Sequence, residues 1–140
     1  MADEQATLRF GRGLGHELPD AATVYLEGDL GAGKTTLTRG VLHALGHAGA
    51  VRSPTYTLIE SYALPDCTVH HLDLYRLGST EELYDLGIDD LAAEPAVWLI
   101  EWPALAAGVL PVWTHRVALS VSGTGRDVDL ARRPTAPLRS

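Results

Sequence analysis

The chain has 140 residues, of which 46% are hydrophobic and 21% are charged, the composition of one ordinary globular domain. Its net charge of −7 repels phosphate backbones, so we expect no direct binding to nucleic acid, although action on RNA through a basic partner stays open. We expect a cytoplasmic protein without membrane contact, because its one cysteine has no metal-ligand spacing, its first residues are polar and no apolar stretch could cross a bilayer.

Seven segments have the β-branched, aromatic or alternating pattern that is typical of strands. In chain order they are residues 7–10, 23–27, 55–62, 69–74, 97–100, 116–122 and 127–131. A helix is predicted over residues 34–45, where apolar side chains recur on one face and Gly46 suits a left-handed cap. A second, short helix is predicted to open at the capping box of Ser79 and Glu82 and to run to Gly87.

The alternation of strands and helices predicts an α/β fold, with a mixed, mostly parallel sheet flanked by helices. The last two predicted strands are joined by a Gly-Thr-Gly turn at residues 123–125, which favours a C-terminal antiparallel β-hairpin at the sheet edge. No shift in composition marks a boundary. We therefore expect one domain over residues 1–131, followed by a flexible tail over residues 132–140.

A glycine-rich loop follows the strand predicted at residues 23–27 and matches the pattern GxxxxGK[ST] without a mismatch. Its glycines let backbone amides point inward as an anion nest, and the helix that begins after the loop adds its positive dipole end. The lysine can reach the β and γ phosphates, and the threonine hydroxyl is placed to bind Mg²⁺. The residues predicted to bind the nucleotide are Gly28, Asp29, Leu30, Gly31, Ala32, Gly33, Lys34, Thr35 and Thr36.

A chance glycine turn is the alternative interpretation of this loop. The loop lies between a predicted strand and a predicted helix, which is the context that the motif requires. The sequence therefore predicts a P-loop NTPase-like fold with a nucleotide and Mg²⁺ as ligands.

Two carboxylates near strand ends are candidates to hold Mg²⁺ and to orient the attacking water. Glu101 follows the apolar run at residues 97–100, as in a Walker B strand, and Asp73 lies near the end of the strand at 69–74. We expect Glu101, Asp73 and Lys34 to be catalytic, and which carboxylate orients the water stays open. The alternatives are a solvated strand-end residue for Glu101 and a local ion pair with Arg76 for Asp73.

Polar residues between the predicted P-loop helix and the next strand form a second candidate region. Residues 53–55 occupy a position where P-loop switch proteins carry a hydroxyl that senses the γ-phosphate, although a simple turn is the alternative. His70 and His71 are adjacent in a strand and point to opposite sides of it. We expect one of them to be a core or hydrogen-bonded histidine, and we do not expect the pair to bind a metal together.

Two arginines, Arg52 and Arg76, flank the expected mouth of the site. They could reach the nucleotide, hold a partner protein, or form surface ion pairs with the acidic residues at 81–85. We favour a partner role for Arg76 and the neighbouring Tyr75, because exposed Tyr and Arg side chains are enriched in interface hot spots.

Five segments, taken in order, resemble the TsaE family, the ATPase of bacterial tRNA threonylcarbamoyladenosine biosynthesis. They are LEGDLGAGKTT at residues 26–36, VRSPTYTL at 51–58, HLDLYRL at 71–77, the Glu-Leu and Leu-Gly pairs within 82–87, and IEWP at 100–103. The resemblance implies slow ATP hydrolysis by the isolated protein and docking on the TsaB–TsaD pair, which modifies the adenosine beside the anticodon. It implies contact with tRNA only through that complex, a Mg²⁺ ion surrounded by Thr35, Asp73 and Glu101, and a switch-like segment at 53–55.

Three other uses of a P-loop are weighed against this reading. A small-molecule kinase normally has an arginine-bearing lid and an acceptor pocket, and no long insertion between residues 75 and 97 could build them. A GTPase normally has an Asn-Lys-x-Asp segment, and this chain contains no asparagine. A module that binds nucleotide without hydrolysing it is the hardest alternative to exclude from the sequence.

Overall fold

The computed structural model describes residues 3–29, 33–54, 56–123 and 125–133. Within these residues, six strands form one mixed sheet: β1 Ala22–Gly28, β2 Ile59–Ala63, β3 Thr68–Asp73, β4 Val97–Glu101, β5 His115–Ser122 and β6 Gly125–Arg132. The spatial order is β2-β3-β4-β1-β5-β6, with β3, β4, β1 and β5 parallel and the edge strands β2 and β6 antiparallel to their neighbours. The predicted mixed, mostly parallel sheet with a C-terminal hairpin is confirmed.

Helices cover both faces of this sheet. The described residues form α1 Glu4–Glu17, α2 Lys34–Ala44, α3 Glu81–Asp85, α4 Ile88–Ala92 and a short 3-10 turn, Pro103–Ala106. One hydrophobic cluster joins α1 and α2 to one face of the sheet, and a second joins α3, α4 and the 3-10 turn to the other face. None of the helices in the described part of the chain has the length and apolar character needed to span a membrane.

The N-terminal segment contradicts the sequence-based expectation. Residues 7–10, predicted as a strand, lie inside α1. The buried residues of this helix recur at Thr7, Gly11, Leu14 and Gly15, a helical spacing that a four-residue window does not show. The Asp3 side chain caps the helix by accepting a hydrogen bond from the Ala6 amide at 2.8 Å.

Close packing between α1 and α2 depends on glycine. A Cβ atom added at Gly11 would overlap the carbonyl oxygen of Leu37, and one added at Gly40 would overlap that of Leu8. The two helices lie parallel, since Thr7 lies beside Gly33 at one end and Gly15 beside Ala44 at the other. Tertiary contact with α2 therefore decides the structure of this segment over its local strand pattern.

Most other strand boundaries differ from the expected ones by one or two residues, and the exception is the strand predicted at 55–62. α2 ends at Ala44, and Gly46 has the positive φ of 107° that suits the predicted cap. The strand predicted at 55–62 begins only at Ile59, because Leu58 has a left-handed φ of 67° and its amide donates to the Pro54 carbonyl at 2.8 Å. In the predicted capping box, the Glu82 carboxylate accepts a hydrogen bond from the Ser79 amide at 3.1 Å, but the N-cap of α3 is Thr80 and no side chain caps the helix there.

The C-terminal end of the described chain lies along the sheet edge. Arg132 closes β6, and its guanidinium donates two hydrogen bonds to the Glu17 carboxylate, at 2.6 and 2.7 Å. Arg133 donates to the Trp113 carbonyl at 3.0 Å. Residues 134–140, most of the predicted flexible tail, lie outside the described residues.

A buried histidine of β3 should make stability depend on pH. Burial lowers the pKa of His70, whose ring contacts the Ser61 hydroxyl at 2.7 Å and lies near Trp98. The unfolded chain, with a histidine pKa of about 6.5, takes up the proton at higher pH than the folded protein, so stability falls as the pH drops below that value. We expect a lower Tm at pH 5.5 than at pH 7.5, and a smaller difference in His70→Gln. An equal difference in the variant would show that other groups cause the effect.

Candidate functional site

Three parallel strands bring the predicted site residues to one edge of the sheet. Asp73 of β3 lies opposite Glu101 of β4, and Glu101 lies opposite Leu26 of β1, two residues before Gly28. Side chains alternate along a strand, so Asp73 and Glu101 share the sheet face that α2 covers, together with Leu99 of the α1–α2 core cluster. The carboxyl ends of the parallel strands and the first turn of α2 therefore meet, which is the usual ligand-binding position in such folds.

Two glycines of the loop have conformations and contacts that demand glycine. Gly28 has φ 144°, and a Cβ atom there would overlap the Leu119 carbonyl oxygen. Gly33 precedes α2 with φ 105°, and its Cβ would come within 3.3 Å of Thr7 of α1. Both positions fit a loop that curls its amides inward before a helix N-terminus.

The structure describes only some of the remaining residues of the loop. Leu30, Gly31 and Ala32 lie outside the described residues, and their predicted phosphate contacts stay predictions. Asp29 and Thr35 are exposed, and Thr36 is half-buried. Thr35 and Thr36 stand in the first turn of α2.

The lysine of the loop is folded back onto the protein. Its side chain is only 5% exposed, and Nζ donates hydrogen bonds to the carbonyl oxygens of Gly28 and Asp29, the latter at 3.1 Å. Nζ also lies 4.2 Å from the centre of the Trp102 ring. Burial lowers the pKa of Lys34, while the negative charges of Glu101 and Asp73 oppose that shift. A phosphate group would replace the two carbonyl contacts with stronger hydrogen bonds, because the acceptor would then carry the opposite charge.

Glu101 is buried and held by a histidine. The residue is 4% exposed, which contradicts the alternative of a solvated strand-end carboxylate. His71 Nε2 lies 2.8 Å from Glu101 Oε2, and both side chains are buried. The bond crosses from β3 to β4 on the α2 face of the sheet.

Asp73 lies at the neighbouring strand end and is half-buried. Its Oδ1 accepts a hydrogen bond from the Tyr75 amide at 3.1 Å, and burial, followed by the charge of Glu101, raises its pKa. Asp73 and Arg76, both in the described part of the chain, do not form the suggested ion pair. The Arg76 guanidinium lies instead 5.2 Å from the centre of the Tyr56 ring.

The donor set of this edge fits a magnesium ion. The negative charge of Glu101 helps to raise the pKa of Asp73, and a divalent cation would relieve that repulsion. With the hydroxyl of Thr35 the two carboxylates offer the hard oxygen ligands that Mg²⁺ prefers, and Mg²⁺ commonly uses only one or two carboxylates beside substrate phosphates. No cluster of three or more acidic, histidine or cysteine side chains suited to a metal occurs in the described ranges.

The two adjacent histidines lie on opposite sides of β3, as predicted. His70 contacts Ser61, whereas His71 contacts Glu101. The contact of His71 with Glu101, and that of the Trp102 ring with Lys34, were not predicted from the sequence. A usable signal existed for the first, since His71 precedes Asp73 by two residues and therefore shares its face.

Residues 56–58, just before β2, form a turn that presents an aromatic side chain. Tyr56 is 84% exposed, Pro54 is buried, and the Leu58 carbonyl accepts a hydrogen bond from the Asp73 amide at 3.1 Å. Thr55, in the predicted switch-like segment, lies outside the described residues. The backbone at Asp73 is thus tied directly to this turn.

A second aromatic contact connects the surface with the loop lysine. Tyr75 is 47% exposed and its ring lies 5.1 Å from that of Trp102, whose other neighbour is Lys34. Trp102 itself has a left-handed φ of 58°, an uncommon conformation for a bulky residue. The rings of Tyr75 and Trp102 form a continuous path from solvent to the lysine ammonium.

Comparison with known proteins places this arrangement among relatives. A family model described as "Threonylcarbamoyl adenosine biosynthesis protein TsaE" matches residues 1–131. A Haemophilus influenzae protein named tRNA threonylcarbamoyladenosine biosynthesis protein TsaE is 44% identical over 135 residues, covering 93% of this chain and 85% of the relative. A Treponema pallidum protein of the same name is 36% identical over 128 residues, covering 91% and 94%.

The fold has a close structural counterpart as well. The crystal structure of YdiB from Bacillus subtilis superposes with a TM-score of 0.72 at 27% sequence identity, covering 91% of this chain and 79% of that one. The family model spans β1 to β5, all but the last residue of β6, and both helices that pack on the α2 face of the sheet. The chain therefore belongs to the TsaE family.

Proposed function

We propose that this protein binds ATP with Mg²⁺ and hydrolyses it in support of tRNA threonylcarbamoyladenosine biosynthesis. One observation carries the proposal: Lys34, Asp73 and Glu101, from three separate segments, meet at the carboxyl edge of the sheet where α2 begins. The names of the relatives supply the pathway.

The loop residues from Gly28 to Thr36 hold the phosphates. Backbone amides and the N-terminus of α2 attract the anion, and Lys34 leaves its carbonyl partners to contact the phosphate oxygens. Thr35, Asp73 and Glu101 hold Mg²⁺, which neutralises phosphate charge when it is bound. Asp73 and Thr35 thus bind the metal ion only, while Glu101 binds the metal ion and also positions the attacking water.

Hydrolysis needs little covalent participation by the protein. A water oxygen attacks the γ-phosphorus, the bond from that phosphorus to the β–γ bridging oxygen breaks, and ADP and inorganic phosphate leave. Glu101 orients the water through its carboxylate, and Lys34 stabilises charge on the transferred group. No arginine among the described residues lies against Lys34, Asp73 or Glu101, so turnover by the isolated protein is expected to be slow.

The proposed partner is a complex of TsaB and TsaD. The protein contacts tRNA only through that complex, and its proposed compartment is the cytoplasm. The net charge of −7 opposes direct tRNA binding. The side chains of Tyr56, Tyr75 and Arg76 are exposed; Arg76 lies over Tyr56, and Tyr75 lies against Trp102, the ring beside Lys34. Such aromatic and arginine side chains are enriched in interface hot spots. A partner that docks there could shift Asp73 through its backbone hydrogen bond to Leu58, and Lys34 through the ring contact of Tyr75 with Trp102.

The proposal is tested by phosphate release from ATP and from GTP, with and without TsaB–TsaD from the same source. We expect slow release from ATP alone, faster release with the partners and little from GTP. Nucleotide binding without any release, even with the partners, would favour the non-hydrolysing module. Preferential GTP turnover would favour a GTPase.

Thr35→Ala should separate nucleotide binding from metal-dependent turnover. The substitution removes a proposed Mg²⁺ ligand and leaves the backbone amides of the loop in place. We expect ADP affinity without Mg²⁺ to change by less than about threefold and Mg²⁺-dependent hydrolysis to fall by about tenfold or more. Isothermal calorimetry and a phosphate-release assay measure the two effects. Hydrolysis at the parental rate would refute the role of this hydroxyl.

Arg76→Ala should separate partner binding from nucleotide binding. Arg76 is exposed, and its guanidinium lies over the Tyr56 ring. We expect ATP affinity to stay within about twofold of the parent and TsaB–TsaD binding to fall by about tenfold, the loss of about 1.4 kcal/mol typical of an interface anchor. Arg12→Ala, which removes an exposed arginine of α1, is the charge-matched control. Normal pull-down with lost ATP binding would place Arg76 at the nucleotide instead.

A further inference from the structure

The hydrogen bond between His71 and Glu101 is short and buried. The Nε2 to Oε2 distance is 2.8 Å, His71 is fully buried and Glu101 almost so. In the β3–β4 register His71 lies opposite Leu99, so it reaches diagonally along the shared face to the carboxylate two residues further on. A carboxylate removed from water in this way requires a hydrogen-bond donor.

Only one polar atom of each side chain makes a hydrogen bond within the described part of the protein. His71 Nδ1 is buried and has no hydrogen-bond partner among the described residues, so a neutral ring with its proton on Nε2 leaves a lone pair rather than an N–H group unpartnered. Glu101 Oε2 accepts that proton's hydrogen bond, and no described residue bonds to Oε1. The carboxylate is therefore held at one oxygen, and the other is left for the site.

We propose that His71 is a positioning residue, which holds the Glu101 carboxylate in the orientation that serves Mg²⁺ and the nucleotide. The inference rests on the proposed function and adds a residue to it. Partners of this kind, which hold a ligating carboxylate through its second oxygen, commonly change metal affinity or activity by 10- to 100-fold when removed. Other groups near Glu101 do not replace the contact, since Lys34 Nζ bonds to backbone carbonyls.

Two substitutions that differ only in reach test the contact. His71→Gln places an amide N–H close to the position of Nε2, whereas His71→Asn carries the same amide on a side chain one methylene shorter. The readout is the gain in affinity for a non-hydrolysable ATP analogue when Mg²⁺ is added, with phosphate release measured beside it. His70→Gln, on the opposite side of the same strand, is the matched control.

We expect all three variants to bind the analogue without Mg²⁺ within about threefold of the parent. His71→Asn should lose about tenfold or more of both the Mg²⁺-induced gain and turnover, while His71→Gln and His70→Gln retain most of both. If His71→Asn does not fold, His71→Leu, which fills the space without a donor, takes its place with the same expected loss. An Asn or Leu variant that folds and keeps the gain would overturn the inference.

A double-mutant cycle with Glu101→Gln separates positioning from general destabilisation. If His71 acts through Glu101, then His71→Asn should cause less than about a twofold further change in the Glu101→Gln background. Losses that multiply would show an independent, structural role and would overturn the inference. A parent protein without Mg²⁺-dependent nucleotide binding would overturn the proposed function as well, whereas a parent with that binding and an unaffected variant overturns the inference alone.

Discussion

Lys34→Ala is expected to lower ATP affinity by about 100-fold, because the charged hydrogen bonds between the ammonium and the phosphates are worth about 3 kcal/mol. The chain contains no other lysine, and no arginine among the described residues lies in contact with Lys34, Asp73 or Glu101. The variant also removes the cation beside Asp73 and Glu101, which increases their mutual repulsion. Calorimetric titration with ATP and Mg²⁺ measures the effect.

Arg12→Ala is the control for this variant, since it removes one exposed positive charge from α1 and leaves the site intact. Thermal unfolding of both variants shows whether the loss reflects folding instead of binding. Because Lys34 also contacts the Trp102 ring, a modest change in Tm is compatible with the prediction. Parental ATP affinity in Lys34→Ala would contradict the assignment of residues 28–35 as the phosphate loop.

Glu101→Gln is expected to bind ATP without Mg²⁺ as the parent does, to lose part of the Mg²⁺-induced gain in affinity, and to hydrolyse ATP about 100- to 10,000-fold more slowly, the contribution typical of a positioned acid–base group. The amide oxygen can still accept the hydrogen bond from His71, so the side chain keeps its place while it loses its charge. Loss of that charge should also let the pKa of Asp73 fall toward its ordinary value, because Glu101 is one cause of its rise. Single-turnover phosphate release, together with nucleotide titration, separates the two steps.

A second glutamate of the same sheet provides the matched control. Glu27 near the end of β1 pairs with Arg116, so Glu27→Gln makes the same chemical change next to the loop without touching Asp73 or His71. We expect it to retain turnover within about twofold. Asp73→Asn tests the ranking of the two carboxylates: a crippled Asp73→Asn beside an unaffected Glu101→Gln would assign the water to Asp73.

The sequence by itself determined where most of the strands lie and which two glycines the loop requires. Residues 97–101 are apolar up to the final glutamate, and the segment from 116 to 131 alternates around a glycine turn, so their strands follow from local patterns. Gly28 and Gly33 were recognisable because the loop requires conformations that side chains would obstruct. These signals are read within a few consecutive residues, and they are independent of how distant segments pack.

Only the tertiary structure decided how residues from distant segments meet. α1 is a helix because its glycines pack against α2, although residues 7–10 have a strand pattern on their own. His71 and Glu101 are 30 residues apart, and the β3–β4 register brings them together. Trp102 reaches Lys34 through a left-handed backbone turn that its own sequence does not signal. Register and helix packing minimise the free energy of the whole chain, and therefore no local pattern contains them.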